Sequence, residues 1–460
     1  MKIINSSPLK NEFFSETIIK DGNISNETEG NIINIYPDVR YQEILGFGGA
    51  FTESSAYNYS LMSEDEKKAF IKAYFDKEDG IGYNFGRTHI NSCDFSLDEY
   101  TYVTENDETL ESFSIARDKK YIVPFLKDVV SYTGEGLVLF ASPWSPPGYM
   151  KDSGKMKLGG KLKDEYKKLW AKYFAKYIKA YEKEGIKISA VSVQNEPKAV
   201  QTWESCYYTA EDERDFVLDY LIPTFDEEGL LDVKIIIWDH NKERVYDRAK
   251  TILDNEKVRK RVWAVGHHWY SGDHYDGLTL VHEQLHKPNI LTEFCASVRM
   301  TQSVLSLAER YAKEICECIN HYCIGICDWN LLLDSFGGPY HDRFRPGTDA
   351  IGVSYEEMGA GCYSPIMLDE KEKKFILTPI YYYIGHFSKF VKRGAIRIAV
   401  TKYTEDLYAS AFINPDGETL AVVMNPMDKE MDAVLRINGE CTGITIAPHS
   451  IFTVIFDKKG

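Results

Sequence analysis

EYKKLWAKYFAKYIKAYEKEGIKISAVSVQNEP, residues 165–197, decides the fold. Its first half places Tyr166, Leu169, Trp170, Tyr173, Phe174, Tyr177, Ile178 and Tyr181 at i, i+3, i+4 spacing, the apolar stripe of a helix packed on one side. Residues 188–193 follow as a short apolar run that reads as a buried strand. Asn195 and Glu196 come directly after it, and Pro197 ends whatever regular structure precedes it. A long helix feeding a buried strand whose carboxyl end carries polar chemistry is one repeat of an α/β architecture.

Outward from this unit the pattern recurs. Strands are expected at 44–48, 83–88, 136–140, 188–193, 234–238, 262–268, 289–293 and 323–328. Ser63-x-x-Glu66 reads as a capping box before a helix that aligns Phe70, Ile71, Tyr74 and Phe75. A further helix aligns Leu307, Tyr311, Ile315, Cys318, Ile319 and Tyr322. Eight strand–helix units are the count of a closed (β/α)8 TIM barrel. Nearly every strand ends in reactive or aromatic side chains: Arg87 and His89, Trp144, Asn195 and Glu196, Asp239 and His240, His267 and His268, Glu293, Asp328 and Trp329. In a barrel these ends all open on one face, where active sites form.

The two ends of the chain read differently. Residues 11–19 and 31–36 are short strand-like runs that cannot bury a face alone. Five more lie at 396–400, 407–413, 419–425, 433–437 and 451–456, with Asn414-Pro415-Asp416-Gly417 as a turn between two of them. An antiparallel β-domain built from both termini follows, with residues 1–40 and 386–460 as its parts and 41–385 as the barrel.

Composition sets the limits on partners. The 460 residues are 44% hydrophobic and carry 54 Lys and Arg against 70 Asp and Glu, a formal charge of -16, which argues against nucleic acid as the principal partner. No run approaches a membrane span, and the first residues lack the apolar core of a signal peptide, so a cytoplasmic location is expected. Nine scattered cysteines suggest free thiols rather than a disulfide framework. The 31 Tyr, 23 Phe and 7 Trp supply core material first, and only some are available to stack on a sugar.

Two carboxylates stand out, Glu196 after the fourth strand and Glu293 in NILTEF after the seventh. A pair of this kind suits glycosidic hydrolysis: one member attacks as the anion, while the other, kept protonated partly by their mutual repulsion, acts as general acid. A salt-bridged strand end is the plain alternative. Asn195 is placed to donate to a sugar 2-hydroxyl, and Trp144 and Trp329 to stack on a ring, although core packing suits each tryptophan equally well.

The stretches GFGGAFTESSAYNYS (46–60), GIGYNFGRTHINSCDFS (80–96), ASPWSPPGYM (141–150), VSVQNEP (191–197), VGHHWY (265–270), LTEFCAS (291–297), CDWNLLLDSFGGP (327–339) and PIYYYIGHFSKFV (379–391) together resemble glycoside hydrolase family 30, most closely its glucosylceramidase branch. The resemblance runs from about residue 41 to 400 and implies the same barrel and split β-domain. It implies Glu196 as general acid/base and Glu293 as nucleophile of a retaining double displacement, with the carboxyl groups about 5 to 5.5 Å apart. It further implies that Asp94 and Trp144 bind sugar hydroxyls, Asn195 orients the 2-hydroxyl, Arg87 pairs with the nucleophile, His268 and Tyr270 lie near Glu293, and Trp329 lines the pocket. No cofactor and no metal are expected. The expected substrate is a small β-glycoside or oligosaccharide, most simply a β-glucoside; β-xylosides, β-fucosides and internal 1,6-glucan bonds are the alternatives within the same fold. The sequence leaves the oligomeric state open.

Other motifs compete. His282-Glu283-Gln284-Leu285-His286 is a literal H-E-x-x-H, the pattern of a zinc protease, but Pro288 follows at once and the motif precedes a barrel strand, on the stability-bearing face. Cys316, Cys318, Cys323 and Cys327 lack the paired knuckles of a zinc site. GFGGA has no phosphate-loop pattern, and no Gly-x-Ser-x-Gly elbow supports acyl transfer. The basic run KDSGKMKLGGKLK, 151–163, reads as a solvated loop. A noncatalytic sugar-binding module is the reading from another class, and the presence of both carboxylates argues against it.

Overall fold

The computed structural model describes residues 1–19, 23–297, 303–341 and 361–457. Eight parallel strands close a barrel: β1 (Gly46–Phe51), β2 (Phe85–Ile90), β3 (Val138–Pro143), β4 (Ala190–Ser192), β5 (Lys234–Asn241), β6 (Val262–His268), β7 (Asn289–Glu293) and β8 (Cys323–Asn330). Each pairs with its neighbour in chain order, and β8 returns to β1 through Gly325 opposite Gly46 and Ile326 opposite Phe47. Several strands run two or three residues beyond the apolar runs that announce them. Ser142 and Pro143, for example, continue the ladder opposite His89 and Ile90. Hydropathy marks which residues are buried in fat; backbone pairing continues through polar ones.

The helix of the opening stretch spans Lys167–Lys183 and buries Trp170, Tyr173, Phe174, Tyr177, Ile178 and Tyr181. That stripe is where much of the tyrosine surplus resides. Ser63 caps Glu64–Phe75 by accepting from the Glu66 amide at 3.3 Å. Val304–Asn320 carries the third stripe. Cys316, Cys318, Cys323 and Cys327 are buried in separate contacts, Cys316 against the Ser410 hydroxyl and Cys318 against Glu314 and His267, and none of the nine cysteines is in a disulfide. The H-E-x-x-H stretch does not stay on one helix: Asp276–Leu285 ends at His286 in the left-handed region, φ 54°, and His282 stacks flat on Tyr322 at 3.9 Å.

Both termini enter one ten-stranded sheet whose apolar face is built by Ile33, Ile35, Ile398, Ala411, Val423, Leu435 and Val454. Lys2–Ser7, a strand that composition did not announce, pairs antiparallel with Ser450–Ile455 in the register Lys2 opposite Ile455. Ile32–Glu43 pairs antiparallel with Ile396–Lys402 and parallel with Met431–Ile437, an exception in an otherwise antiparallel sheet. Buried His386 joins this sheet to the barrel, bonded to Ser6 and Thr453 at 2.9 Å each.

One expectation is corrected. In the basic run 151–163, Lys151 is fully buried, and its ammonium donates to the Ser145 hydroxyl at 3.1 Å, the Met156 carbonyl at 3.0 Å and the Ser205 carbonyl at 2.6 Å. Three donors meet three acceptors, which offsets the cost of burying the charge. The result is a pin between the loop after Trp144 and the loop that carries Gln201 and Trp203.

Candidate active site

The barrel interior is layered. Phe85, Phe140, Ala190, Ile236, Ala264, Ile290 and Cys327 fill one fully buried apolar layer. Two residues further along β2, β3 and β4, on the same inward face, stand Arg87, Ser142 and Ser192, and Asp239 joins them from the end of β5. The step from fat to charge occurs within one pleat.

Arg87 organises the polar layer. Its Nη1 donates to Glu293 Oε2 at 2.7 Å and to the Thr292 carbonyl at 3.3 Å, its Nη2 to Asp239 Oδ2 at 2.8 Å and Asn195 Oδ1 at 2.9 Å, and its Nε to Ser142 at 3.0 Å. All five guanidinium protons are engaged. The group also lies over the Trp144 ring at 4.7 Å and the Trp329 ring at 5.4 Å. The two indoles stack on each other at 5.1 Å and are almost fully buried, and both line the pocket.

Glu293 accepts from Arg87 and, through Oε1, from the Tyr270 hydroxyl at 2.9 Å. Glu196 sits in the left-handed region, φ 47°, a position that side-chain-bearing residues adopt when the surroundings hold them there. Its amide donates to the Asp239 carbonyl, and its Oε2 accepts from Gln201 at 3.2 Å. Oε1 faces His268 Nδ1 at 3.2 Å and His240 Nδ1 at 3.5 Å. The same His268 nitrogen is 3.9 Å from Glu293 Oε1, so one imidazole bridges the two carboxylates and the sum of those distances bounds their separation. That bound accommodates the spacing of about 5 to 5.5 Å of a retaining pair.

Electrostatics follow from these contacts. Burial disfavours the His268 cation, but Glu293, Asp239 and Glu196 around it raise its pKa to about 9. Burial likewise opposes charge on Asp239, and Arg87 and His268 overcome it, holding that carboxyl below its usual range. Burial pushes Glu293 up, against the pull of His268 and Arg87 and with a further push from Glu196. Glu196, also buried, is drawn down by His240 and His268. These contacts favour a proton on the His268 imidazole over one on Glu196.

The structure brings Glu196, Glu293, Arg87, Asn195, His268, Tyr270, Trp144 and Trp329 into contact with one another, and Asp94 lines the same pocket of about 290 Å³. Of the paired histidines at the end of β6, only His268 reaches the site; His267 turns outward to Cys318, as alternation on a strand demands. Sequence reasoning noted Asp239 and His240 as strand ends and gave them no role. Asp239 proves to be the fixed acceptor beneath Arg87 and His268, and the signal was its place at a strand terminus. Gln201, Trp203 and Cys295 also line the pocket.

Residues 44–391 match the model of the glycosyl hydrolase family 30 TIM-barrel domain, and residues 394–454 match that of the family 30 beta sandwich domain. The chain is 33% identical over 456 residues to putative glucosylceramidase 3 of Caenorhabditis elegans, covering 94% of this chain and 84% of that one. Among solved structures, SrfJ from Salmonella typhimurium superposes with a TM-score of 0.92 at 31% identity, covering 100% of this chain and 99% of the other. The endo-β1,6-glucanase BT3312 superposes at 0.85 with 28% identity and the same coverage.

Proposed function

The chain belongs to glycosyl hydrolase family 30 and is a retaining β-glycosidase, and on that footing we propose that it removes single β-glucosyl units, with Glu293 as nucleophile and Glu196 as general acid/base. One observation carries the assignment of roles: the two carboxylates flank one imidazole but differ in their other partners. Glu293 meets Arg87, which is always charged and can only donate, whereas Glu196 meets the His268 imidazole, which can give up a proton, and the neutral Gln201 amide, which donates to Oε2.

The proton of the general acid lies on the Glu196–His268 bond. Transfer from Nδ1 to Oε1 across 3.2 Å leaves a neutral imidazole that still donates Nε2–H to Asp239 at 3.0 Å, and a protonated Glu196. Glu293, with Arg87 and Tyr270 still donating, then attacks the anomeric carbon as Glu196 protonates the departing oxygen. Glu196, now the base, takes a proton from water, which releases the sugar with its configuration kept. Asn195 Oδ1 is occupied by Arg87, which leaves its Nδ2 to donate to the 2-hydroxyl. A pocket of about 290 Å³ is at the small end of ligand sites, about 300–1,000 Å³, and suits one sugar residue better than a polymer.

A panel of aryl β-glycosides tests this. Glucosides should lead, and the first-formed sugar should be the β-anomer by NMR. Glu196→Gln should cost about 10²–10⁴-fold on alkyl leaving groups, which need protonation, and far less on acidic phenols. Retention at wild-type rate in Glu293→Gln overturns the nucleophile, and release of oligosaccharides rather than glucose from a glucan overturns the exo reading.

A further inference from the structure

His240 has no part in the double displacement as derived, yet it is buried, 8% exposed, and its Nδ1 points at the acid/base carboxylate from 3.5 Å, the outer limit of hydrogen-bond reach. A buried imidazole nitrogen held this loosely against a carboxylate needs an explanation. Among the described residues, Glu196, His240 and His268 form the one group of three histidine, cysteine or acidic side chains whose donor atoms all lie within 4.8 Å of one another.

Two edges of this triangle have the spacing of a metal polyhedron, and the third lies within 4.8 Å. Ligands about 2.0–2.1 Å from a tetrahedral zinc ion are about 3.3 Å apart. Glu196 Oε1 is 3.2 Å from His268 Nδ1 and 3.5 Å from His240 Nδ1, and it is the oxygen that Gln201 leaves free. His268 already has the support that ligating histidines carry: its other nitrogen is bonded to the Asp239 carboxylate at 3.0 Å, which fixes the ring. Two imidazoles and one carboxylate suit zinc and its transition-metal neighbours, not the oxygen-seeking Mg²⁺ or Ca²⁺. Glu196 and His240 both line the substrate pocket, so an ion between them would be reached from it.

We propose that Glu196, His240 and His268 form an inhibitory site for a divalent transition metal ion of the zinc class, which sequesters the acid/base carboxylate and shuts off hydrolysis. Binding the ion displaces the His268 proton to solvent and breaks no covalent bond. The inhibitory consequence rests on the acid/base role of Glu196; the binding does not.

The test uses the whole chain, freed of metal. Zn²⁺ competed against a chromophoric chelator should bind one ion per chain, Co²⁺ should give the visible bands of a four-coordinate site, and hydrolysis of an aryl β-glucoside should fall with the same ion dependence and recover in EDTA. Mg²⁺ and Ca²⁺ should do nothing. His240→Gln should weaken both Zn²⁺ binding and inhibition at least tenfold, read as a ratio to that variant's own uninhibited rate. Should the variant fail to fold, anomalous scattering at the zinc edge from wild-type crystals locates the ion directly. Absence of stoichiometric binding, an ion found elsewhere, or undiminished affinity in His240→Gln overturns the site. Zn²⁺ bound through His240 without inhibition upholds the site and instead overturns Glu196 as acid/base.

Discussion

Two layers of the barrel interior, one pleat apart, follow opposite rules. In the lower layer Phe85, Phe140, Ile236 and Ile290 are fully buried against one another, and charge meets them only from above, where the Arg87 guanidinium lies 5.6 Å over the Phe140 ring. In the upper layer Arg87, Asp239, His268 and both glutamates are almost as buried but are charged or exchange protons. The same strands supply both. Burial alone therefore does not distinguish packing from chemistry; what distinguishes them is whether each buried group is matched by apolar surface or by a partner of opposite charge. Stability resides in the first layer and activity in the second, and each prediction tests that division.

The largest effect is expected from Glu293→Gln, which leaves shape and burial nearly unchanged and removes the attacking group. kcat should fall by at least about 10⁴-fold, with the melting temperature kept or raised because one of two facing carboxylates is gone. A melting temperature far below wild type would show that Glu293 belongs to the stability layer as well. The opposite result is expected of Ile236→Ala below it: a loss of about 2–5 kcal/mol in stability by denaturant unfolding, with kcat/KM per folded molecule held within a few-fold. Arg87→Met should cross the division. It leaves Asp239 buried without its cation, costing about 3–5 kcal/mol, and also removes a donor from Glu293, so rate and stability should fall together.

Legibility in the sequence follows the same line. The barrel was readable because apolar periodicity marks strands and helices, and the ends of those strands named Glu196, Glu293, Arg87, Asn195 and His268. Lys2–Ser7 was not, because a strand with polar Asn5, Ser6 and Ser7 has no apolar signature; its pairing comes from a partner at the far end of the chain. Lys151 looked like one more exposed lysine since nothing local tells that three acceptors converge on it. Asp239 and His240 were visible as a strand end, but their work depends on register at the barrel mouth: a shift in the pairing of β5 and β6 beside Trp238, which itself adopts φ 71°, sets which side chain faces Arg87 and which faces Glu196. That geometry is tertiary and has no local code.

The most gradual effect, spread over some pH units, is the most direct reading of the upper layer's electrostatics. His268 has a folded pKa of about 9, above the ordinary 6.5, so the folded state binds its proton more tightly than the unfolded state. Its contribution to stability is fully present below about pH 6.5 and is lost as pH rises through about 9, with a slope no steeper than about 1.4 kcal/mol per pH unit. Denaturant midpoints between those pH values should decline accordingly, and His268→Gln should flatten that decline while Ile236→Ala lowers the whole curve without changing its slope. Were the slope to survive in His268→Gln, the proton would reside on another group, and the division between the layers would have to be redrawn around that group. The catalytic profile follows from the same proton: activity should fall on the alkaline side as the Glu196–His268 pair loses it, since no acid then remains to assist the departing oxygen.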